Sequence, residues 1–579
     1  MGDDGALALV DGALYCDPGT DAEGQPADPD GAVLSAWRRR GESLLPALRG
    51  DFALLLWDGR RGLLARDQMG GRIWVWHDDG RRLHFASEVH FLLALLPQRP
   101  RPDDLSMAHW LGVSGMPGDG TLYDGIRRLQ AGSQLPLDPA RAVAPARYWA
   151  LRPPTQRVER EEYTTHLRDA LTAAVSRRLE ANGRDAAVML SGGLDSASVA
   201  GLAAAAVPPL RRPKRAYSAV FPDHPTVDES SLVERLVRAY GLQSVRASVR
   251  RGSVLEGALP YLERWALPPV SPNLFFWLPL LHRAASDGVG VMLDGEGGDE
   301  LFGLSPYLIA DRLSRAQVRA AVDLVCRIPG AAGRPSRAAV VSALRRFGLI
   351  GLAPPAAHAL YRRFRSVERY APGWLRPETA GVLVASTQGD AWKRHPGPRW
   401  WAFLVDAVIQ GMGPALAYDH VRRRAAMAGI TARHPLVDVD VIELVMRLPP
   451  EAAYDPYLSR PMLRSAVADI VPDVVRLRPS KSTFDAIFHH SLAGSDLPLC
   501  RGLLCDPAAR VGAYVDLARM RADLLVPDPP RGPARATWAL QVWRLLTAEC
   551  WLRFQEDPAS PRRVAERIGL PTPDCVLVP

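Results

Sequence analysis

Short apolar runs broken by turn residues fill the chain to about residue 150, and long helical periodicity is scarce there. Residues 6–10, 13–16, 51–57, 62–66, 73–77 and 83–86 read as strands, with helices over 33–40 and near 88–96. Strands that follow one another without long crossovers predict an antiparallel, sheet-rich layer. The texture changes after Arg152-Pro153-Pro154. Residues 159–180 predict a long helix, with apolar positions recurring at Tyr163, Leu167, Leu171 and Val175. The run Ala186-Ala187-Val188-Met189-Leu190 then reads as a strand ending in a Gly-rich turn, followed by a small-residue helix over 196–206. Strands at 217–221, 244–249 and 290–293 and a helix over 229–240 continue the alternation, which predicts a parallel α/β core. Beyond 305 the pattern is mostly helical, and 527–535 reads as a loop. The expected organisation is an α/β chain of two domains, 1–150 and 151–579.

Composition narrows the function classes only modestly. With 47% hydrophobic and 23% charged residues in 579, the chain has a globular balance. The net charge of +8 is a small excess of 71 basic over 63 acidic residues and implies no nucleic-acid partner. The runs Arg38-Arg39-Arg40 and Arg422-Arg423-Arg424 read first as solvated helix faces, with an acidic partner as the alternative. Six cysteines show neither paired spacing nor a C-x-x-C, so reduced thiols are expected. No basic segment followed by an apolar run opens the chain and no stretch is apolar enough to span a bilayer, so the expectation is cytoplasmic residence without a membrane partner.

The chemistry-bearing signal is Leu190-Ser191-Gly192-Gly193-Leu194-Asp195-Ser196. Its glycines let backbone N–H groups turn inward, its serines add hydroxyls, and the following helix presents its positive end, a combination that grips pyrophosphate. It fits neither the Walker pattern nor G-x-G-x-x-G. A second Gly-rich turn, Asp294-Gly295-Glu296-Gly297-Gly298-Asp299-Glu300, also follows an apolar strand. In a parallel sheet the two turns face one crevice, where Asp195 and Asp299 can share one Mg²⁺. Helix capping is the alternative role for Asp299 and Glu300.

With these motifs the chain resembles glutamine-hydrolysing asparagine synthetases and their relatives, the β-lactam synthetases and lasso-peptide macrolactam cyclases. Leu48-Arg49-Gly50-Asp51-Phe52, Ala65-Arg66-Asp67 and Phe85-Ala86-Ser87-Glu88 look like landmarks of the family's glutaminase-fold domain. Tyr123-Asp124-Gly125-Ile126, Arg433-His434-Pro435-Leu436-Val437-Asp438 and Arg478-Pro479-Ser480-Lys481 look like those of its synthetase domain. The resemblance implies a sheet sandwich of the N-terminal-nucleophile (NTN) hydrolase type, then an α/β ATP-pyrophosphatase domain using ATP and Mg²⁺. It implies that Leu190, Val220 and Gly295 contact the nucleotide through their backbones. It further implies that Lys481 reaches the α-phosphate or developing oxyanion, and that Glu296 binds or deprotonates the amine.

Three departures bear on the substrate. Position 2 is Gly2 where the family's glutaminase carries a nucleophilic cysteine, and Cys16 has no free amine beside it, so a degenerate glutaminase domain is expected. Leu267-Pro268-Pro269 stands where the family has Asp-Glu-Pro, and Thr431 where it has Glu. Trp265, Phe275, Phe276 and Trp277 suit either an apolar substrate surface or core packing. The reading that follows is a lasso-peptide cyclase, which adenylates an Asp or Glu side chain of a precursor peptide and couples it to the peptide's own N-terminal amine. A leader peptidase and a leader-binding protein are the expected partners. Ammonia-dependent asparagine synthetase, β-lactam synthetase and an inactive ATP- or peptide-binding scaffold are the alternatives.

Overall fold

The computed structural model describes residues 5–16, 18, 28–113, 116, 118–137, 144–155, 158–159, 162–206 apart from 181–184, 208–330, 333–354, 371–387, 391–406, 412–479, 484–570 and 574–578. Among these, the N-terminal part folds into strands β1 (Leu7–Leu14), β2 (Gly50–Trp57), β3 (Gly62–Arg66), β4 (Val75–Asp78), β5 (Leu83–Ala86), β6 (Arg127–Arg128), β7 (Ser133–Leu137) and β8 (Ala146–Arg147). They form two antiparallel sheets, ordered β1-β2-β3-β7-β8 and β5-β4-β6. Strand period sorts the residues of β2 between two cores. Phe52, Leu54 and Leu56 pack with Val33 and Ala36 of helix α1 (Pro29–Arg40). Ala53 and Leu55 pack with Trp74 and Trp76 in the layer between the sheets. The predicted sheet-rich layer is therefore present, although the expected strands 6–10 and 13–16 are one strand, because pairing with β2 runs unbroken through Gly12.

Helices α2 (Val89–Leu95) and α3 (Asp104–Leu111) follow, and then α4 (Tyr163–Glu180) leads into the second unit. Its strands are β9 (Ala186–Met189), β10 (Arg215–Val220), β11 (Gln243–Arg251), β12 (Val291–Leu293), β13 (Thr431–Arg433) and β14 (Asp574–Val578), ordered β13-β12-β9-β10-β11-β14. In this sheet, among the described residues, β11–β14 is the antiparallel pairing and the others are parallel. The helices between β9 and β12 are α5 (Leu194–Ala206), α6 (Ser230–Tyr240), α7 (Val254–Trp265) and α8 (Leu274–Ser286), and the short α9 (Gly298–Phe302) follows β12. Residues Ala187 and Met189 of β9 enter one core, and Val188 and the following Leu190 enter the other. Burial on both faces explains why this strand reads as an unbroken apolar run.

The chain moves from β9 to β10 and β11 on one side, then returns to place β12 and β13 on the other. This reversal puts a topological switch point between β9 and β12, where the turns leaving the strand ends diverge around a crevice.

One core crosses from the N-terminal layer to the C-terminal helices. It takes in Ile73 and Val75 with Trp543 and Trp551 of the helix Pro533–Glu556. Trp110 donates its indole N–H to the Arg544 carbonyl at 3.2 Å, and the Tyr123 hydroxyl donates to the Ala266 carbonyl at 2.7 Å. The loop expected over 527–535 stops short, because Pro533 opens that helix, where a missing N–H costs nothing. Trp265, Phe275 and Phe276 are core residues rather than substrate surface. Cys326, Cys500, Cys505 and Cys550 are free thiols. No helix of the described residues is long and apolar enough to cross a membrane.

Candidate active site

The turn between β9 and α5 is tied by its own side chains. Ser196 Oγ accepts the Ser191 N–H at 3.1 Å and lies 2.9 Å from Ser191 Oγ, which accepts the Gly193 N–H at 3.2 Å. The strand end is fixed sideways, since the Leu190 N–H donates to the Tyr217 carbonyl and the Ser218 hydroxyl donates to the Leu190 carbonyl. Gly192 sits so close to Glu229 and Leu232 that a Cβ there would stand 2.8 Å from the Glu229 Cβ. The N-terminal end of α5 faces this turn, and a helix end of that kind can hold an anion. Val220 ends the neighbouring β10, so Leu190, Ser191, Gly192, Gly193, Asp195, Ser196 and Val220 share one edge of the sheet.

The turn after β12 is pressed directly against this one. A Cβ on Gly295 would stand 2.5 Å from Ser196 N, and one on Gly298 would stand 2.5 Å from the Asp195 carboxyl. Gly297 has φ +87°, which a side chain would strain. Asp195 and Asp299 converge on one nitrogen, Nη1 of Arg460, which pairs with Asp195 and lies 2.9 Å from Asp299 Oδ1. Arg460 is buried and left-handed at φ +56°, a conformation that costs a non-glycine residue about 1–2 kcal/mol. Two carboxylates meeting at a single cationic atom are a hard-oxygen pair that fits a divalent cation. No cluster of three or more His, Cys, Asp or Glu residues suited to a metal occurs among the described residues, so such an ion would take its other ligands from phosphate and water.

Beyond the carboxylate pair lies a second group of polar side chains. His434, just past β13, holds Asp294 through Nδ1 at 2.7 Å, and Asp294 accepts the Glu296 N–H at 3.2 Å. Burial and the neighbouring Asp294 raise the Glu296 pKa above the ordinary carboxylate value, partly offset by Arg424 and His434. Burial alone would lower the His434 imidazole, but Asp294 and Glu296 reverse that and raise it. Tyr418 stacks on His434 with ring centres 5.9 Å apart, and its buried hydroxyl has no hydrogen-bond partner among the described residues. That hydroxyl lies 3.2 Å from where a Cβ on Gly297 would stand. A carboxyl that binds a proton more readily than usual, beside an ion-paired imidazole, suits proton transfer from an amine.

The asparagine synthase family model matches residues 166–553, and the glutamine amidotransferase domain model matches residues 27–149. The chain belongs to the asparagine synthase family. A putative glutamine-hydrolysing asparagine synthetase of Mycobacterium tuberculosis is 27% identical over 524 residues, covering 85% of this chain and 74% of its own. The amidase chry2 of Gibberella zeae is 28% identical over 302 residues, covering 49% of this chain and 44% of its own. Glutamine-hydrolysing asparagine synthetase 3 of Bacillus subtilis is 25% identical over 292 residues, covering 48% and 46%. The chain spans less than half the length of the last two relatives.

The structure sets Gly295 against Ser196, brings Asp299 to the same arginine as Asp195, and carries Glu296 on the turn between Gly295 and Asp299. Lys481 lies outside the described residues, but its neighbours reach the crevice. Arg478 bonds Glu229 at 2.5 Å, next to Gly192, and the Phe484 ring lies 5.4 Å from that of Phe221, just past β10. Sequence reasoning missed Arg460, Tyr418 and Arg424. Arg460 stands 265 positions from the carboxylate it pairs with, and no local motif marks it. Arg422-Arg423-Arg424 had a visible signal that pointed the wrong way. The run is not a solvated face: Arg422 and Arg423 both pair with Glu88, and Arg424 lies over the half-buried Trp277 at 4.9 Å. A charged run gives no sign of a partner carboxylate that arrives 334 residues away.

Proposed function

We propose that the chain is an ATP-dependent, AMP-forming amide ligase, and more specifically a macrolactam cyclase of the lasso-peptide kind. The observation that carries the ligase reading is the meeting of two Gly-rich turns at the switch point, with Asp195 and Asp299 converging at the N-terminal end of α5. The cradle of Ser191, Gly192, Gly193 and Ser196 binds the β- and γ-phosphates, and the backbones of Leu190, Val220 and Gly295 border the nucleotide. A divalent cation held by Asp195 and Asp299 would supply charge neutralisation to the phosphates. A peptide carboxylate attacks the α-phosphorus and pyrophosphate leaves; an amine then attacks the acyl carbon and AMP leaves. Lys481 offsets negative charge growing on the α-phosphate, and Glu296, held by Asp294 and His434, accepts the ammonium proton.

Support for an internal amine comes from the sequence. Gly2 stands where the family's glutaminase carries its nucleophilic cysteine, and a peptide carrying both carboxylate and amine requires no nitrogen from glutamine. Leu267-Pro268-Pro269 and Thr431, in place of the acids the family carries there, also favour a substrate other than aspartate. The partners on this reading are the precursor peptide, a leader peptidase and a leader-binding protein.

With ATP, Mg²⁺ and a linear precursor peptide, the protein is expected to release AMP and pyrophosphate and to yield a product lighter by one water in mass spectrometry. Asparagine formation from aspartate and ammonium, with no dehydrated peptide, would replace cyclisation with asparagine synthesis. Lys481→Ala is expected to slow pyrophosphate release by about 10²–10³-fold. An unchanged rate would remove Lys481 from the mechanism.

A further inference from the structure

The N-terminal layer sends buried charges to the acceptor half of the crevice by two routes. The first runs through the helix Met412–Ala426. Glu88, the residue just before α2, pairs with Arg422 and lies 2.8 Å from Arg423. Asp419 on the same helix lies 3.1 Å from Arg66 and 3.9 Å from Arg128, both from the N-terminal layer. All of these side chains are buried or nearly so. The residues of the helix between and beside these contacts are Tyr418, whose hydroxyl lies against the Gly297 turn, and Arg424, which is close enough to Glu296 and Asp294 to interact with both.

The second route runs through β13. Asp51 of β2 takes the Tyr15 hydroxyl and lies 3.3 Å from Arg178 of α4. Arg178 also pairs with Asp438 at 2.5 Å, and its carbonyl accepts from Arg433 at 3.2 Å. Arg178 and Arg433 both lie over the Tyr15 ring, at 4.8 and 5.7 Å. Arg433 is followed at once by His434, the partner of Asp294. Both routes therefore end on the turn that carries Glu296. Among the described residues, neither route makes a hydrogen bond or ion pair with Ser191, Gly192, Gly193 or Ser196, which are tied by bonds within 5 residues and by their own sheet neighbours.

We infer that the N-terminal layer serves as a brace for the acceptor half of the active site, with Glu88 and Asp51 as positioning residues. This rests on the ligase reading for the identity of the acceptor half, but the brace itself is a property of the ligand-free fold. Buried ion pairs suit the task because each charge accepts few arrangements, so the pairs fix the angle of Met412–Ala426 and the seat of His434 more tightly than apolar packing does.

The test is hydrogen–deuterium exchange on the full chain, with Mg²⁺-ATP binding by calorimetry as the measure of the phosphate half. Glu88→Gln is expected to speed exchange in residues 412–434 and 291–300 at least tenfold more than in residues 186–206. Its Mg²⁺-ATP affinity should stay within threefold of the unsubstituted protein. Equal acceleration in every segment, or none in 412–434 and 291–300, would overturn the brace. Tyr15→Phe removes a single hydroxyl and keeps the test open if Glu88→Gln does not fold; it should loosen 431–437 and 291–300 in the same pattern at smaller amplitude, and a uniform or absent response overturns the proposal equally. If the unsubstituted protein binds no Mg²⁺-ATP, the ligase reading fails on its own, while the exchange pattern still decides the brace.

Discussion

The two halves of the crevice are held in contrasting ways. The phosphate side is local: Ser191, Gly193 and Ser196 bond one another within one turn, and Leu190 and Ser218 bond across adjacent strands. The acceptor side is remote: Glu296 depends on Asp294 and His434, and these depend on helices pinned by carboxylates and arginines hundreds of residues away. A local turn can be specified by a short motif, and a remote one needs the whole fold. The comparison also separates the chemistry, because gripping phosphate needs backbone N–H groups and a helix end, which every sequence with the right turn supplies. Taking a proton from an amine needs a carboxyl tuned by its surroundings.

The largest expected effect lies where the halves meet. Asp195→Ala or Asp299→Ala should slow pyrophosphate release by about 10²–10³-fold in a steady-state assay, since each removes half of the hard-oxygen pair. A loss confined to amide formation would instead assign these carboxylates to the acceptor side. Next, Glu88→Gln leaves Arg422 and Arg423 buried without their carboxylate, a change that costs about 3–5 kcal/mol in denaturant unfolding. Burial would raise the Glu88 pKa, but Arg422 and Arg423 override it and hold it at about 2. Because the folded value is depressed, the stabilisation is present above the ordinary carboxylate value and is lost as pH falls toward 2. The protein should therefore lose stability over that acid window more steeply than Glu88→Gln does, and parallel curves would contradict the pairing.

Gly295→Ala forces a Cβ onto the Ser196 backbone and should separate the two turns, at about 1–3 kcal/mol of stability, with weakened nucleotide binding by calorimetry. On the acceptor side, a base works ionised, and the pKa of Glu296 is raised. The amide-forming rate should thus climb with pH through a step lying above the ordinary carboxylate range, and Glu296→Gln should erase that step. The smallest effect is expected at Arg238 and Glu234, an exposed pair at 3.2 Å on α6. Replacing either with Ala should change unfolding stability by less than about 1 kcal/mol, and a larger loss would remove the distinction between buried and exposed pairs.

Much of the fold was legible because its signals are local. Alternation in β2, the doubly apolar β9, and the order of strands and helices between β9 and β12 each follow from periodicity that a strand or helix imposes on its own residues. Interruptions were less legible: Gly12 looked like a break and Pro533 like a loop, although pairing carries the strand through the first and the second begins a helix. Aromatic residues were ambiguous for a different reason. Phe276 and Trp277 are adjacent, yet the first is fully buried and the second half-buried against Arg424, and only the helix's neighbours decide which.

By itself the sequence determined the Gly-rich turn after β9, the strand that delivers it, and a second acidic Gly-rich turn after β12. These are short-range matters of backbone freedom and hydrophobic period. The tertiary structure alone decided that Arg460 joins the two carboxylates, that Tyr418 and Arg424 reach the Glu296 turn, and that the Arg422 to Arg424 run is buried. Such contacts depend on where a charge finds its partner, and a partner more than 250 residues away leaves no trace in local spacing.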